Sequence, residues 1–141
     1  MNATCWHIRQ ARPADAEAML ELWRSASATP SVTDSMPDIE REVATDSALV
    51  LLAEIDRRLA GSIIGTFDGW RAHVYRLAVH PDYRRRGLAS ALLAELEKWF
   101  VRQGARHINP LVEKDHPDAM GFWQAAGYVY DPRIVRHFKN L

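Results

Sequence analysis

The run from Leu77 to Leu93, LAVHPDYRRRGLASALL, constrains this chain more than any other stretch. Its apolar start, ending in Val79, His80 and Pro81, reads as a strand, and its leucine-rich end reads as an amphipathic helix. Between them stand Arg84, Arg85, Arg86 and Gly87. A strand that turns directly into a helix carries the helix's first backbone N–H groups, which have no intrahelical partner, to the end of a sheet. Those groups, with the positive end of the macrodipole at roughly half a charge, suit an anion such as a pyrophosphate. Gly87 and Ala89 keep the approach free of bulk, and the arginines add cationic forks for phosphate oxygens. The same residues also fit a basic turn that merely caps a core helix.

At 141 residues the expectation is a single domain over residues 1–141, large enough to bury a core without staples. Eighteen basic residues balance eighteen acidic ones, which speaks against nucleic acid or an anionic membrane as the main partner. Cys5 stands alone, so an intrachain disulfide is excluded and the usual zinc patterns are missing. His7, His80, His107 and His137 show no metal-site spacing, and no metal is expected. No apolar run approaches the ~20 residues of a membrane span, and the N-terminus lacks a secretory h-region, so cytoplasmic residence is the expectation. A general nucleotide-binding domain is disfavoured, because there is no Walker G-x-x-x-x-G-K-S/T and no G-x-G-x-x-G after the first strand.

Along the chain, residues 6–9 alternate as a short strand, and residues 11–15 open a helix with Met19, Leu20 and Trp23 on one face. Residues 27–37 form a loop, after which Asp38 is expected to cap a second helix carrying Ile39 and Val43. The apolar run 48–55 predicts a strand covered on both faces, turned by residues 56–58 into a hairpin partner over 59–67. A turn at Asp68 and Gly69 leads to a strand over 73–79, then a helix over 88–102 burying Leu88, Leu92, Leu96, Trp99 and Phe100 and ended by Gly104. A strand over 107–112 follows, with Pro110 leaving an unpaired edge or bulge. A helix over about 117–126, the segment 127–130 and a closing strand over 134–138 complete the expectation.

The spacing Arg84-x-x-Gly87-x-Ala89 resembles the acyl-CoA signature Q/R-x-x-G-x-G/A of the GNAT superfamily of N-acetyltransferases. About thirty residues on, the run 119–128, AMGFWQAAGY, is similar to the family's A-x-x-F/L-Y-x-x-x-G-F/Y helix and turn. The order β-α-α-β-β-β-α-β-α-β-β matches the family from end to end. Residues 38–41, DIER, and 65–69, GTFDG, resemble a small bacterial single-domain branch. The resemblance implies an α/β GNAT fold: a mixed central sheet of about seven strands with four helices, and splayed parallel strands holding the acyl-CoA. It implies acetyl-CoA as cosubstrate and acetyl transfer to a primary amine, on a small molecule or a protein N-terminus or lysine, by direct attack in a ternary complex. A non-catalytic acyl-CoA-binding or sensor protein is the alternative, and a homodimer is compatible with either.

In the family the pantetheine arm inserts between the splayed strands, here 73–79 and 108–112, like an added strand. The resemblance therefore assigns cofactor contacts to Leu77, Ala78, Val79, Arg84, Arg85, Arg86, Gly87, Leu88, Ala89, Ser90, His116 and Trp123. Aminolysis of a thioester needs a base, an oxyanion donor and help for the departing thiolate. A backbone N–H near Leu77 is the expected donor. His73 occupies the position of a frequent family carboxylate, and period two would place it on one face with Tyr75 and Leu77. It is either the base or a structural histidine. Trp123 stands where the family carries the tyrosine acid, and an indole N–H donates a hydrogen bond but is no practical proton donor. His116 stands at the family's pantetheine asparagine, and either keeps that contact, acts as an acid, or caps a helix whose first turn holds Pro117. For the acceptor, Trp23, Asp34, Met36, Asp38, Glu42, Asp68, Trp70 and Arg71 are the residues in reach of the family's usual site, unless they form only a solvated face.

Overall fold

The computed structural model describes residues 5–116 and 118–141. Strand β1 (Trp6–Gln10) leads through a 3-10 turn at Pro13–Asp15 to helix α1 (Ala16–Ser25) and helix α2 (Met36–Val43). Strands β2 (Ala48–Ile55), β3 (Arg58–Phe67) and β4 (Ala72–Val79) follow, and a second 3-10 turn at Pro81–Tyr83 precedes helix α3 (Leu88–Gln103). Strand β5 (Ile108–Pro110) and helix α4 (Ala119–Ala125) come last. The chain forms two compact units, one ending at Leu111 and one over Val112–Leu141. No helix among the described residues is long and apolar enough to cross a membrane.

The sheet follows sequence order, β1-β2-β3-β4-β5, antiparallel except for the parallel pair β4–β5. Asp56 and Arg57 both adopt left-handed backbone, which lets a two-residue turn follow the twist of β2 and β3. One sheet face receives α1 and α2: Met19, Leu22, Trp23 and Ile39 pack with Val50, Leu52, Ile64 and Ala78. The other face receives α3, whose Leu96 and Phe100 lie where a Cβ at Gly65 would have to go, so β3 is glycine there for close approach. Leu88, Leu92, Leu96 and Phe100 are buried as their spacing predicts, whereas Trp99 is only half-buried.

Three expectations are corrected. Among the described residues the sheet has five strands rather than about seven. Residues 127–130 and 134–138 form no strand; Asp131 instead turns the chain, its carboxylate accepting the Arg133 N–H at 3.0 Å and the Arg133 guanidinium at 2.9 Å. A short apolar segment becomes a strand only where a sheet edge accepts its backbone, and here Val129, Ile134, Val135 and Phe138 stay exposed. Helix α2 is capped by Ser35, not Asp38, with Pro37 in its first turn and Asp38 answering the cap from within.

Candidate active site

The two ends of β4 differ. Ala72, His73 and Val74 are paired on both sides, with Phe67, Thr66 and Gly65 of β3 and with Ile108, Asn109 and Pro110 of β5. After Val74, whose carbonyl accepts the Leu111 N–H at 3.1 Å, β5 pairs no further with β4. At that point β4 also bulges: Ile64 opposes Tyr75 and Ser62 opposes Ala78, so Arg76 and Leu77 together face Ile63. Arg76 takes left-handed backbone at φ +53°, costing about 1–2 kcal/mol for a residue with a Cβ.

The bulge corrects one expectation. His73 and Tyr75 do share a face, their rings 6.0 Å apart. Residues opposed to Ile64 and Ser62 share that face too, so Ala78 continues the row and Leu77 does not. Past the bulge, His80 N–H donates to the Ala60 carbonyl of the β3 side at 2.8 Å. By alternation Val79 turns its N–H and carbonyl to the opposite edge, where Arg84 Nε donates to that carbonyl at 3.2 Å.

At the start of α3 the geometry favours an anion. Arg85 (φ +62°) and Gly87 (φ +83°) are left-handed, and a Cβ built on Gly87 would meet nothing within 4 Å. Gly87 is the N-cap, with no side-chain cap and no acid in the first turn. Its carbonyl accepts the Ala91 N–H, so the N–H groups of Leu88, Ala89 and Ser90 precede the first helical bond. This donor set fits a pyrophosphate. The three arginines are not equivalent. Arg84 braces the turn through Val79 and, at 3.5 Å, the Ala26 carbonyl. Arg86 leans on Tyr83, its guanidinium 5.4 Å from the ring centre, and donates to the Asp82 carbonyl at 3.4 Å. Arg85 is exposed, and no partner for its guanidinium is found among the described residues.

The acceptor candidates are mostly committed elsewhere. Trp23 is buried, its indole N–H donating to Ser62 Oγ at 3.0 Å. Both Asp34 carboxylate oxygens take Arg76 Nη2, at 2.7 and 2.8 Å. Asp38 accepts from Ser35 Oγ at 2.8 Å and from Arg41 at 3.2 Å. Asp68 accepts the N–H groups of Arg71 and Trp70, which hold its carboxyl below the usual range. Trp70 is 74 % exposed, with the Arg71 guanidinium 4.3 Å from its ring centre. Met36 is exposed, and Glu42 lies half-buried on α2.

Arg76 and Ser62 escaped the sequence reading. For Arg76 a signal was present: it falls in the period-two row of Ala72, Val74 and Ala78, where a charge has no place unless the register breaks.

In the second unit, Trp123 is packed edge-on by Phe122 and Tyr128, with ring centres 5.4 and 4.9 Å away. Tyr128 N–H returns to the Trp123 carbonyl at 2.9 Å past left-handed Gly127. The N-cap of α4 is Asp118, so the capping role weighed for His116 is corrected; its Nδ1 accepts the Asp118 N–H at 3.4 Å. Pro117 lies outside the described residues. No cluster of His, Cys, Asp or Glu able to hold a metal is found among the described residues.

Residues 16–128 match the model of the acetyltransferase (GNAT) family. An acetyltransferase of Pectobacterium atrosepticum is 37% identical over 121 residues, 86% of each chain. One of Sodalis glossinidius is 38% identical over 134 residues, 95% of this chain and 94% of that one. Among solved structures, the aminoglycoside N-acetyltransferase AAC(6')-Iy in complex with CoA superposes with a TM-score of 0.80 at 19% identity, covering 99% and 98% of the two chains. The PaiA N-acetyltransferase of Thermoplasma acidophilum in complex with coenzyme A gives 0.77 at 20% identity, over 86% and 88%. At those identities the likeness is one of fold. The family match and the curated relatives establish membership: this chain belongs to the acetyltransferase (GNAT) family, whose acyl donor is acetyl-CoA.

Proposed function

We propose that this acetyltransferase moves the acetyl group of acetyl-CoA to a primary amine, of a small molecule or a protein N-terminus or lysine, by direct attack in a ternary complex. The observation that carries the reading is the continuity of β4 with α3. A strand edge left by β5 after Val74 runs through the 3-10 turn at Pro81–Tyr83 and the arginines into a helix start whose N–H groups carry no side-chain cap. Such an edge suits an extended polar arm, and the helix start suits the anion at its end.

Acetyl-CoA supplies the activated thioester. The main chain of Leu77, Ala78 and Val79 binds its arm, with the Leu77 N–H as donor to the carbonyl oxygen. Arg84 to Ser90 receive the pyrophosphate, Arg84 by shaping the turn and Arg85 by its charge. His73, beside Tyr75 at the last fully paired stretch of β4, takes the proton of the amine directly or through water. By resemblance His116 and Trp123 contact the same cosubstrate. Trp123 gives its thiolate a hydrogen-bond donor and no proton.

Thiol release from acetyl-CoA against a panel of amines tests the reading, with turnover on at least one class expected. The His73→Ala enzyme should then lose about 10²–10⁴ in kcat and the rising limb of its pH–rate profile, with acetyl-CoA affinity unchanged. No turnover with any amine, despite tight acetyl-CoA binding, would favour the acyl-CoA-binding alternative. An unaltered pH profile in His73→Ala would leave that histidine structural.

A further inference from the structure

Arg76 breaks the pattern of its strand twice. It is a charge in a row begun by buried Ala72 and Val74, and its backbone is left-handed. Its contacts account for both. Nη2 donates to both oxygens of Asp34, at 2.7 and 2.8 Å, and Nη1 donates to the Thr29 carbonyl at 2.9 Å. The guanidinium carbon stands 4.9 Å from the centre of the Trp23 ring. The main-chain carbonyl of Arg76 accepts the Ser62 hydroxyl at 2.8 Å, and Ser62 Oγ in turn accepts the Trp23 indole N–H at 3.0 Å. Ser62 is fully buried, and the Arg76 and Asp34 side chains are only 17% and 21% exposed, so salt screens this pair less than a surface pair.

We propose that Arg76 and Asp34 form a positioning clamp that holds the α1–α2 loop against the bulge of β4. The loop is otherwise exposed over Pro30–Thr33, and Asp34 closes it by accepting the Ser31 N–H at 3.0 Å. One residue therefore fixes the loop through its side chain and shapes the acetyl-presenting main chain through its backbone. An acceptor resting on the loop is held at a set distance from Leu77. With both oxygens occupied, Asp34 serves geometry and is not a carboxylate reserved for the acceptor's ammonium group. The catalytic half of this inference rests on the function proposed above; the mechanical half does not.

Arg76→Gly, Arg76→Lys, Asp34→Ala and the Arg76→Gly/Asp34→Ala double variant of the full chain test both halves. Glycine accepts the left-handed backbone, so Arg76→Gly removes the clamp without adding strain. Amide hydrogen exchange should quicken about tenfold or more over residues 27–35 in Arg76→Gly and in Asp34→Ala, with no further gain in the double variant. Wild-type exchange of the loop in Asp34→Ala would overturn the clamp. With an amine that the wild type acetylates, kcat/KM for that amine should fall about 10- to 100-fold. Acetyl-CoA affinity should hold and Arg76→Lys should recover part of the loss. Equal losses for amine and acetyl-CoA, or none per folded enzyme, would reduce the pair to a structural one. If the wild type acetylates no amine while the loop responds as expected, the clamp stands and the functional reading falls.

Discussion

Helices α2 and α3 begin in opposite ways. At Ser35 the hydroxyl accepts the Asp38 N–H at 3.3 Å and donates to the Asp38 carboxylate at 2.8 Å, so α2 carries its own cap and its own negative charge. At Gly87 there is neither, and the arginines stand immediately before it. The 3-10 turn at Pro13–Asp15 is closed by a side chain from its other end: Asp15 accepts the Arg12 N–H at 2.7 Å and binds both terminal nitrogens of Arg9 at 2.8 and 2.7 Å. A start closed by its own side chains is a stability element. An exposed start without a cap gives up that stabilisation and keeps its donors for an anion from outside.

Closing the open start should have the largest effect. Gly87→Asp places a carboxylate where the pyrophosphate is proposed to sit, and Asp tolerates left-handed backbone better than most residues. Acetyl-CoA affinity measured by isothermal titration should weaken about 100-fold, or about 2.7 kcal/mol, with the fold retained. Wild-type affinity in a folded Gly87→Asp protein would make the two kinds of start equivalent.

Opening a closed start should cost stability instead. Asp15→Asn should lose roughly 1–2 kcal/mol at neutral pH in urea unfolding, since the acceptor loses its charge and one of its two oxygens. The loss should depend on pH. Its hydrogen bonds with Arg9 hold the Asp15 carboxyl below its ordinary value of 3.8, so the folded state binds its proton less readily than the unfolded chain. The stabilisation is complete above the ordinary value and disappears as pH falls through the lowered one, so wild type and Asp15→Asn should converge in acid. A gap that stays constant throughout that fall would show that the pairing with Arg9 contributes nothing through charge.

Ser35→Ala should have the smallest effect, about 1 kcal/mol of stability, with acetyl-CoA affinity unchanged. A fall in affinity without a fall in stability would reverse the contrast between the two starts.

The start of α3 was also the most legible of the helix starts, whereas the caps of α2 and α4 fell on Ser35 and Asp118 rather than on Asp38 and His116. Arginines followed by glycine between an apolar strand and an amphipathic helix make an uncapped helix start readable locally, because the groups concerned are main-chain atoms within a few residues of one another. The acceptor side was far less legible. Asp34 and Asp38 were both in reach of the usual acceptor site, yet the first is held by Arg76, forty-two residues away in the chain, and the second by the cap of its own helix. The cap that takes Asp38 lies three residues away, whereas nothing local shows that Asp34 is taken. Trp123 was readable as a departure from the family's tyrosine, and its packing by Phe122 and Tyr128 follows from the same short helix and turn.

By itself the sequence determined what depends on neighbours along the chain: the apolar strands of the sheet, the buried stripe of α3, the left-handed Gly104 that ends it and the arginine–glycine turn that precedes it. Tertiary structure alone decided where β4 slips against β3, since a bulge is a property of two strands in register and leaves only a misplaced arginine as its trace. It decided the commitment of Asp34, because a charge pair joining a loop to a strand depends on the folded distance between them. It also left residues 134–138 without a strand: apolar residues in a short segment permit a strand, whereas a strand needs an edge to receive its hydrogen bonds, and no local pattern supplies one.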